Sequence, residues 1–191
     1  LAIGAHPDDV EIGCGGVLAR HFENGDNVNI LTLSDGKVGG PTEERRRESE
    51  TAAGMINAEL HWGGLHDTEI TDGQETIKAI ETAIDLTKPT IVYTHTKQDS
   101  HQDHRNTFSA TIVAARRVQN LYCYQSPSTT IDFRPSSFSD ISDFVAAKLE
   151  LISAYASQTS KCSYLAPEVI ESTARYWGRF AGYKRVEPFE V

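Results

Sequence analysis

The sequence predicts an α/β domain with a mostly parallel sheet. Three observations lead there: short apolar segments alternate with stretches of helical periodicity, Gly and Pro fall between them as punctuation, and no internal repeat or low-complexity tract interrupts the series. Parallel neighbours need helical crossovers, which this alternation supplies. The 191 residues suit a single domain, 1–191, long enough to bury a full core.

Residues 1–5 (LAIGA) read as the first strand, and Val10 to about Glu23 as a helix whose apolar side carries Val17, Leu18 and Phe22. Asn27 to Leu33 is the second strand, followed by the glycine loop SDGKVGGP and a helix opening near Thr42 with an N-cap signature. Leu60 to Trp62 is a weaker strand, Thr71 to Thr87 a helix, and Thr90 to Tyr93 a β-branched strand. A helix over Asn106 to Arg117, a strand at Leu121 to Tyr124, a further strand near Ile131, and helices over Ile141 to Ala156 and Pro167 to Phe180 complete the series.

A formal charge of −9 disfavours nucleic acid and anionic membrane as partners, since both are bound by neutralising phosphate. No apolar run approaches the roughly 20 residues of a membrane span. Three cysteines form an odd and sparse set, which argues for a reducing, cytoplasmic setting over a disulfide framework. The chain opens on Leu1 rather than Met, so residues before it, a leader included, stay open. Self-association through the terminal helices is also open, with no heptad to compel it.

The chemistry lies in two loops that follow strands, where open α/β sheets hold their ligands. In the first, Ala5-His6-Pro7-Asp8-Asp9 sets one imidazole and two carboxylates directly after an apolar strand. Two adjacent carboxylates repel, and a divalent cation relieves that repulsion while using the histidine. His6 and Asp9 are the candidate ligands; Pro7 turns Asp8 elsewhere, free to act on a water. The second loop, His101-Gln102-Asp103-His104-Arg105, has His95 and Asp99 just upstream and offers His104 as third ligand. His101 is then placed to face the other side of a substrate. A His/Asp/His set with an open position suits catalytic zinc, and also ferrous iron. Read alone, the first loop also fits a helix N-cap with acidic residues at the positive end of the dipole, and the second a solvated connection.

Gly13-Cys14-Gly15-Gly16 fails as a dinucleotide fingerprint: the third glycine of the pattern falls at Leu18, and Asp8, Asp9 and Glu11 stand where a pyrophosphate is expected. Close packing of helix on sheet accounts for these glycines, with Cys14 a small packed residue. His21, His61 and His66 lack partner clusters and are assigned surface or core roles.

These two loops, with their order and separation, resemble the PIG-L/LmbE-like deacetylases, whose marks are an AHPDD-type segment after the first strand and an H-x-D-H segment further on. LTLSDGKVGG, RRRESETAAGMI, SPSTTIDFRPSSFSDIS and SAYASQ extend the likeness over most of the chain. The resemblance implies a Rossmann-like three-layer domain and a zinc site of His6, Asp9 and His104 with Asp8 as general base. It further implies that His101 stabilises the oxyanion or helps protonate the leaving amine, and that Asp103 orients a histidine. Gln102 replaces the Pro or Gly often found there, and Arg175-Tyr176-Trp177-Gly178 matches the family's Arg-Gly pattern only loosely.

The expected activity is thus metal-dependent removal of an acetyl group from a small N-acetylated amino sugar or sugar conjugate, with a protonated His101 at the oxyanion. Arg45 is a candidate for holding a polar group of the substrate and Asp67 for binding sugar hydroxyls; their plain alternatives are a solvated charge and a turn cap. The competing classes are another metal hydrolase, such as a phosphoesterase, and a non-catalytic sugar-binding module. Net acidity speaks against the first, the spare base Asp8 and His101 against the second.

Overall fold

The computed structural model describes all residues, 1–191. Its elements run β1 (Ala2–Gly4), α1 (Asp9–Glu23), β2 (Asn29–Ser34), α2 (Thr42–Met55), β3 (Glu59–Leu65), α3 (Gln74–Thr87), β4 (Ile91–His95), α4 (Gln102–Ala114), β5 (Asn120–Tyr124), β6 (Ser137–Asp140), α5 (Val145–Ser153), α6 (Ala156–Thr159), α7 (Pro167–Ala181) and β7 (Val186–Glu190). One seven-stranded sheet has the order β3-β2-β1-β4-β5-β7-β6. β1 to β5 are parallel, and β7 joins antiparallel to both β5 and β6.

Strand alternation divides the core into two layers. Ala2, Ile30, Tyr93 and Tyr124 face one side with Val10 and Val17 of α1, Ala52 of α2 and Leu151 of α5. Ile3, Leu31, Leu33 and Val92 face the other with Ile77 and Ile80 of α3 and Ala110 of α4. Successive residues of each strand are thus buried against opposite helix layers, as a sheet covered on both faces requires. No helix is long and apolar enough to cross a membrane.

Two expectations are corrected. The segment near Ile131 is loop, and Ile131 is fully exposed. The last strands are instead β6 and β7, whose register pairs Phe138 with Pro188 across a gap of 50 residues that no local pattern reveals. The helix at Thr42 starts with Pro41 at the cap, and the Thr42 hydroxyl donates to Asp35 rather than to the helix backbone.

α1 is broken at Cys14, whose φ of −142° and ψ of 19° are not helical. A buried ion pair bridges the break. Lys148 Nζ donates to the Ile12 carbonyl at 2.6 Å and to Glu187 Oε1 at 2.5 Å, while the Glu187 carboxylate accepts the N–H groups of Gly16 and Val17 at 2.9 and 2.7 Å. These bonds satisfy backbone groups on both sides of the break, the Ile12 carbonyl and the Gly16 and Val17 N–H groups. At Gly13 a Cβ would stand 2.2 Å from the Tyr124 ring, so the glycine lets helix and sheet meet.

Candidate active site

Sheet order reverses direction of growth between β1 and β4, the switch point at which open α/β sheets leave a crevice. The residues after β1 and after β4 meet there. They line a cleft of about 400 Å³ with the glycine loop, Arg45, Asp67 and Gln158.

The first loop turns sharply at Asp8, whose φ of 92° lies in the left-handed region. With Pro7 before it this is the pattern of a type II turn, and a non-glycine residue there carries strain. Asp8 occupies the cap position of α1 but makes no side-chain cap bond. Its carboxylate lies against Arg45, with Nη1 and Nη2 each 3.4 Å away. Burial pushes the Asp8 carboxyl up to about 7, with the Arg45 charge opposing. Asp9 closes the turn by accepting the His6 N–H at 2.7 Å.

The cluster is built on Asp9. Its Oδ2 is 3.3 Å from His6 Nδ1 and its Oδ1 is 3.3 Å from His104 Nε2. The outer nitrogen of each imidazole is held by a carboxylate. His6 Nε2 donates to Asp103 Oδ2 at 3.0 Å and faces Asp67 Oδ1 at 3.2 Å. His104 Nδ1 donates to Asp99 Oδ2 at 3.0 Å. Burial alone would lower both imidazoles, but the surrounding carboxylates raise His6 well above its usual range and His104 to about 9. Asp9, although buried, is held well below the usual carboxylate range, chiefly by His104.

His101 caps α4: its Nδ1 accepts the Asp103 N–H at 3.2 Å. That bond places the ring proton on Nε2 and makes His101 a neutral donor. Burial and the neighbouring His104 and His6 also lower its pKa. Both features favour a neutral His101 over the expected protonated one. Asp103 is fully buried and outside the cleft lining; its carboxylate accepts from His6 and the Thr68 N–H, and only its backbone N–H reaches His101's ring.

Arg45 is buried rather than solvated, donating to the Pro7 carbonyl and lying beside Asp8 and Glu48. Asp67 accepts the Val38 N–H at 2.7 Å, tying the glycine loop to His6. His21, His61 and His66 lie outside the cleft.

Sequence reasoning passed over His95 and Asp99 as site residues. His95 is fully buried, stacks on His104 with centroids 3.9 Å apart, accepts the Ala5 N–H at 3.2 Å, and stands 3.2 Å from Asp9. Asp99 accepts from His104, Ser126, Ser128 and the His101 backbone, which hold its carboxyl far below its usual range despite burial. Both stand just upstream of the second loop, His95 as the last residue of β4. Ser126 and Ser128 carried no local signal.

A doubly covered α/β sheet with a His/Asp cluster at its switch point defines the class, a three-layer α/β domain with an enzyme-type site. The chain belongs to the PIG-L family: residues 1–115 match the family described as GlcNAc-PI de-N-acetylase. The uncharacterized deacetylase YaiS of Escherichia coli K12 is 32% identical over 75% of this chain and 82% of its own length. The diacetylchitobiose deacetylase of Thermococcus kodakarensis is 27% identical over 98% of this chain and 80% of its own. Among solved structures, a conserved protein of Thermus thermophilus superposes with a TM-score of 0.91 at 28% identity, covering 100% of this chain and 92% of that one. The fold is also that of 4-carboxy-2-hydroxymuconate hydratase from Pseudomonas putida (TM-score 0.81, 21% identity, 99% and 93% covered), so fold alone does not choose the reaction.

Proposed function

We propose that the chain is a metal-dependent N-deacetylase of an N-acetylated amino sugar or sugar conjugate, working as one domain over residues 1–191. The observation that carries this reading is the convergence of His6 Nδ1, the Asp9 carboxylate and His104 Nε2, with 3.3 Å between neighbouring donors. Ligands about 2.0–2.2 Å from a tetrahedral zinc lie roughly 3.3–3.5 Å from one another, and each imidazole stands at that spacing from one Asp9 oxygen, His6 from Oδ2 and His104 from Oδ1. The carboxylates on the outer nitrogens of His6 and His104 fit it as well, since such partners fix the tautomer of a ligating histidine. Zinc is the proposed ion, with ferrous iron the alternative for the same donors.

A cation held there would lower the pKa of a water and polarise the acyl carbonyl. Asp8 is the proposed base: it stands apart from the three donors, its strained backbone aims the carboxylate into the cleft, and Arg45 fixes its orientation. It takes a proton from the attacking water and returns one to the departing amine as the C–N bond breaks. His101 Nε2–H donates to the developing oxyanion as a neutral imidazole, and Asp103 acts through His6 as a positioning residue. Asp67 and Arg45 act mainly as supports, of His6 and of Asp8, with Asp67 also lining the part of the cleft where sugar hydroxyls would sit.

The amino-sugar substrate is supported by the family and by relatives named for diacetylchitobiose. The one Lys or Arg lining the cleft, Arg45, is already engaged, which speaks against a phosphoester. The odd and sparse cysteine set supports a cytoplasmic setting. Amine release from N-acetylglucosamine and a panel of its conjugates, by protein chelated and then reloaded with zinc or ferrous iron, tests the reading. Release restored by metal is expected; a metal-loaded protein that releases no amine from any member would reject it.

A further inference from the structure

The cleft does not end at the metal cluster. Ile12, Pro127 and Tyr164 line both the cleft and a second cavity of about 250 Å³, so the two adjoin. The second cavity runs between α7 and β7, with Val169, Ile170, Ala174, Val186 and Pro188 in its walls. Gln125, Val169 and Thr173 carry it on to a shallow depression at Trp177, whose Nε1 donates to Gln125 at 2.8 Å.

The two directions away from the cluster differ in chemistry. On one side lie Asp67, Thr68, Gln158 and the glycine loop, all able to meet hydroxyls. On the other, apolar walls from α7 and β7 stand beside Gln125, Ser126, Thr129 and Thr173, and the two buried charges, Lys148 and Glu187, are bonded to each other. An amide whose carbonyl carbon sits at the cluster must send its acyl and amine substituents in opposite directions. A sugar on the polar side therefore directs the acyl group toward Ile12 and Tyr164. An acetyl methyl, about the size of one water at roughly 30 Å³, leaves nearly all of that cavity empty.

We propose that this trough is an acyl-chain subsite, and that the chain hydrolyses N-acyl amino sugars with acyl groups longer than acetyl, unbranched and uncharged. This rests on the deacylase reading above. The reaction is the same hydrolysis: the C–N bond breaks, water supplies the oxygen of the released carboxylate, and the amine leaves protonated. Apolar burial accounts for the preference, since each methylene moved from water into such walls contributes up to about fourfold in kcat/KM.

The experiment compares N-acetyl-, N-butanoyl-, N-hexanoyl- and N-octanoylglucosamine, and the octyl glycoside of N-acetylglucosamine, with metal-loaded native protein, Val169→Glu and Thr173→Trp. Both positions are on the exposed side of α7, away from the cluster. Binding of octanoate and of acetate, the carboxylate products, is followed in parallel through Trp177 fluorescence, which needs no turnover. We expect kcat/KM to rise at least tenfold from acetyl to hexanoyl, both variants to remove that gain while keeping acetyl turnover, and octanoate to bind at least tenfold tighter than acetate in the native protein alone. Acetyl turnover with no dependence on acyl length and no octanoate preference would overturn the subsite while leaving the deacetylase reading intact. A gain confined to the octyl glycoside would overturn it too, giving the trough to the sugar's far end. Octanoate binding lost in Val169→Glu, without turnover of any amide, would keep the subsite and reject the deacylase reading. Neither binding nor turnover would reject both.

Discussion

Asp99 Oδ2 accepts the Nδ1–H of His104 at 3.0 Å, and by doing so leaves His104 Nε2 pointing at Asp9, 3.3 Å away. The same Asp99 accepts the His101 N–H at 2.8 Å, so one buried carboxylate sets both histidines of the second loop.

Replacing Asp99 by Asn weakens the acceptor and loosens the tautomer of His104. Metal affinity should fall about 10- to 100-fold, as for other partners of ligating histidines, while the circular dichroism spectrum is retained. Chelator competition measures it; unchanged affinity would separate Asp99 from the site.

Metal uptake should expel protons. In the metal-free protein the surrounding carboxylates raise His104 to about 9 and His6 well above its usual range, which favours the charged form of both rings near neutral pH. Binding needs neutral rings, and affinity therefore falls as pH drops below about 9, by up to tenfold per pH unit for each proton released. Titration calorimetry in two buffers of different ionisation enthalpy should give buffer-dependent heats; equal heats would contradict the charged rings.

Gly36 has a φ of +64°, and a Cβ there would stand 2.8 Å from Pro7 Cδ. Gly36→Ala should cost about 1–3 kcal/mol in denaturant unfolding and lower turnover, because Pro7 can yield only by moving the Asp8 turn. Full activity with lowered stability would show that the Asp8 turn is independent of the glycine loop.

The Lys148–Glu187 pair is a stability device. Glu187→Ala leaves Lys148 buried and uncompensated and the Gly16 and Val17 N–H groups without their acceptor, a loss of about 3–5 kcal/mol. Adding Lys148→Met should recover part of it, and a double mutant no more stable than Glu187→Ala alone would show that the uncapped helix break dominates.

The parallel half of the fold was legible because β1, β2 and β4 are apolar runs followed by periodic helices. β6 and β7 were not: SFSD has no apolar alternation, Pro188 interrupts β7, and the two pair across the intervening helices α5 to α7. The break in α1 was equally hidden, since the carboxylate that caps it comes from Glu187, 170 residues away. The chemistry of the two loops pointed to His6, Asp9 and His104, and the fold brings those three together. It did not separate supports from reacting groups, because Asp103 and Asp99 differ from Asp8 only in burial and direction. The burial of Arg45 had no local signal either, because the turn at Asp8 that lies over it comes from another loop.

The most direct test of the central claim is metal content and amine release measured side by side in Asp8→Asn and His104→Ala. If Asp8 is the base and His104 a ligand, Asp8→Asn keeps one metal ion per chain and loses most of its turnover, while His104→Ala loses metal affinity first. Equal loss of metal in both variants would contradict the division of roles between the two residues.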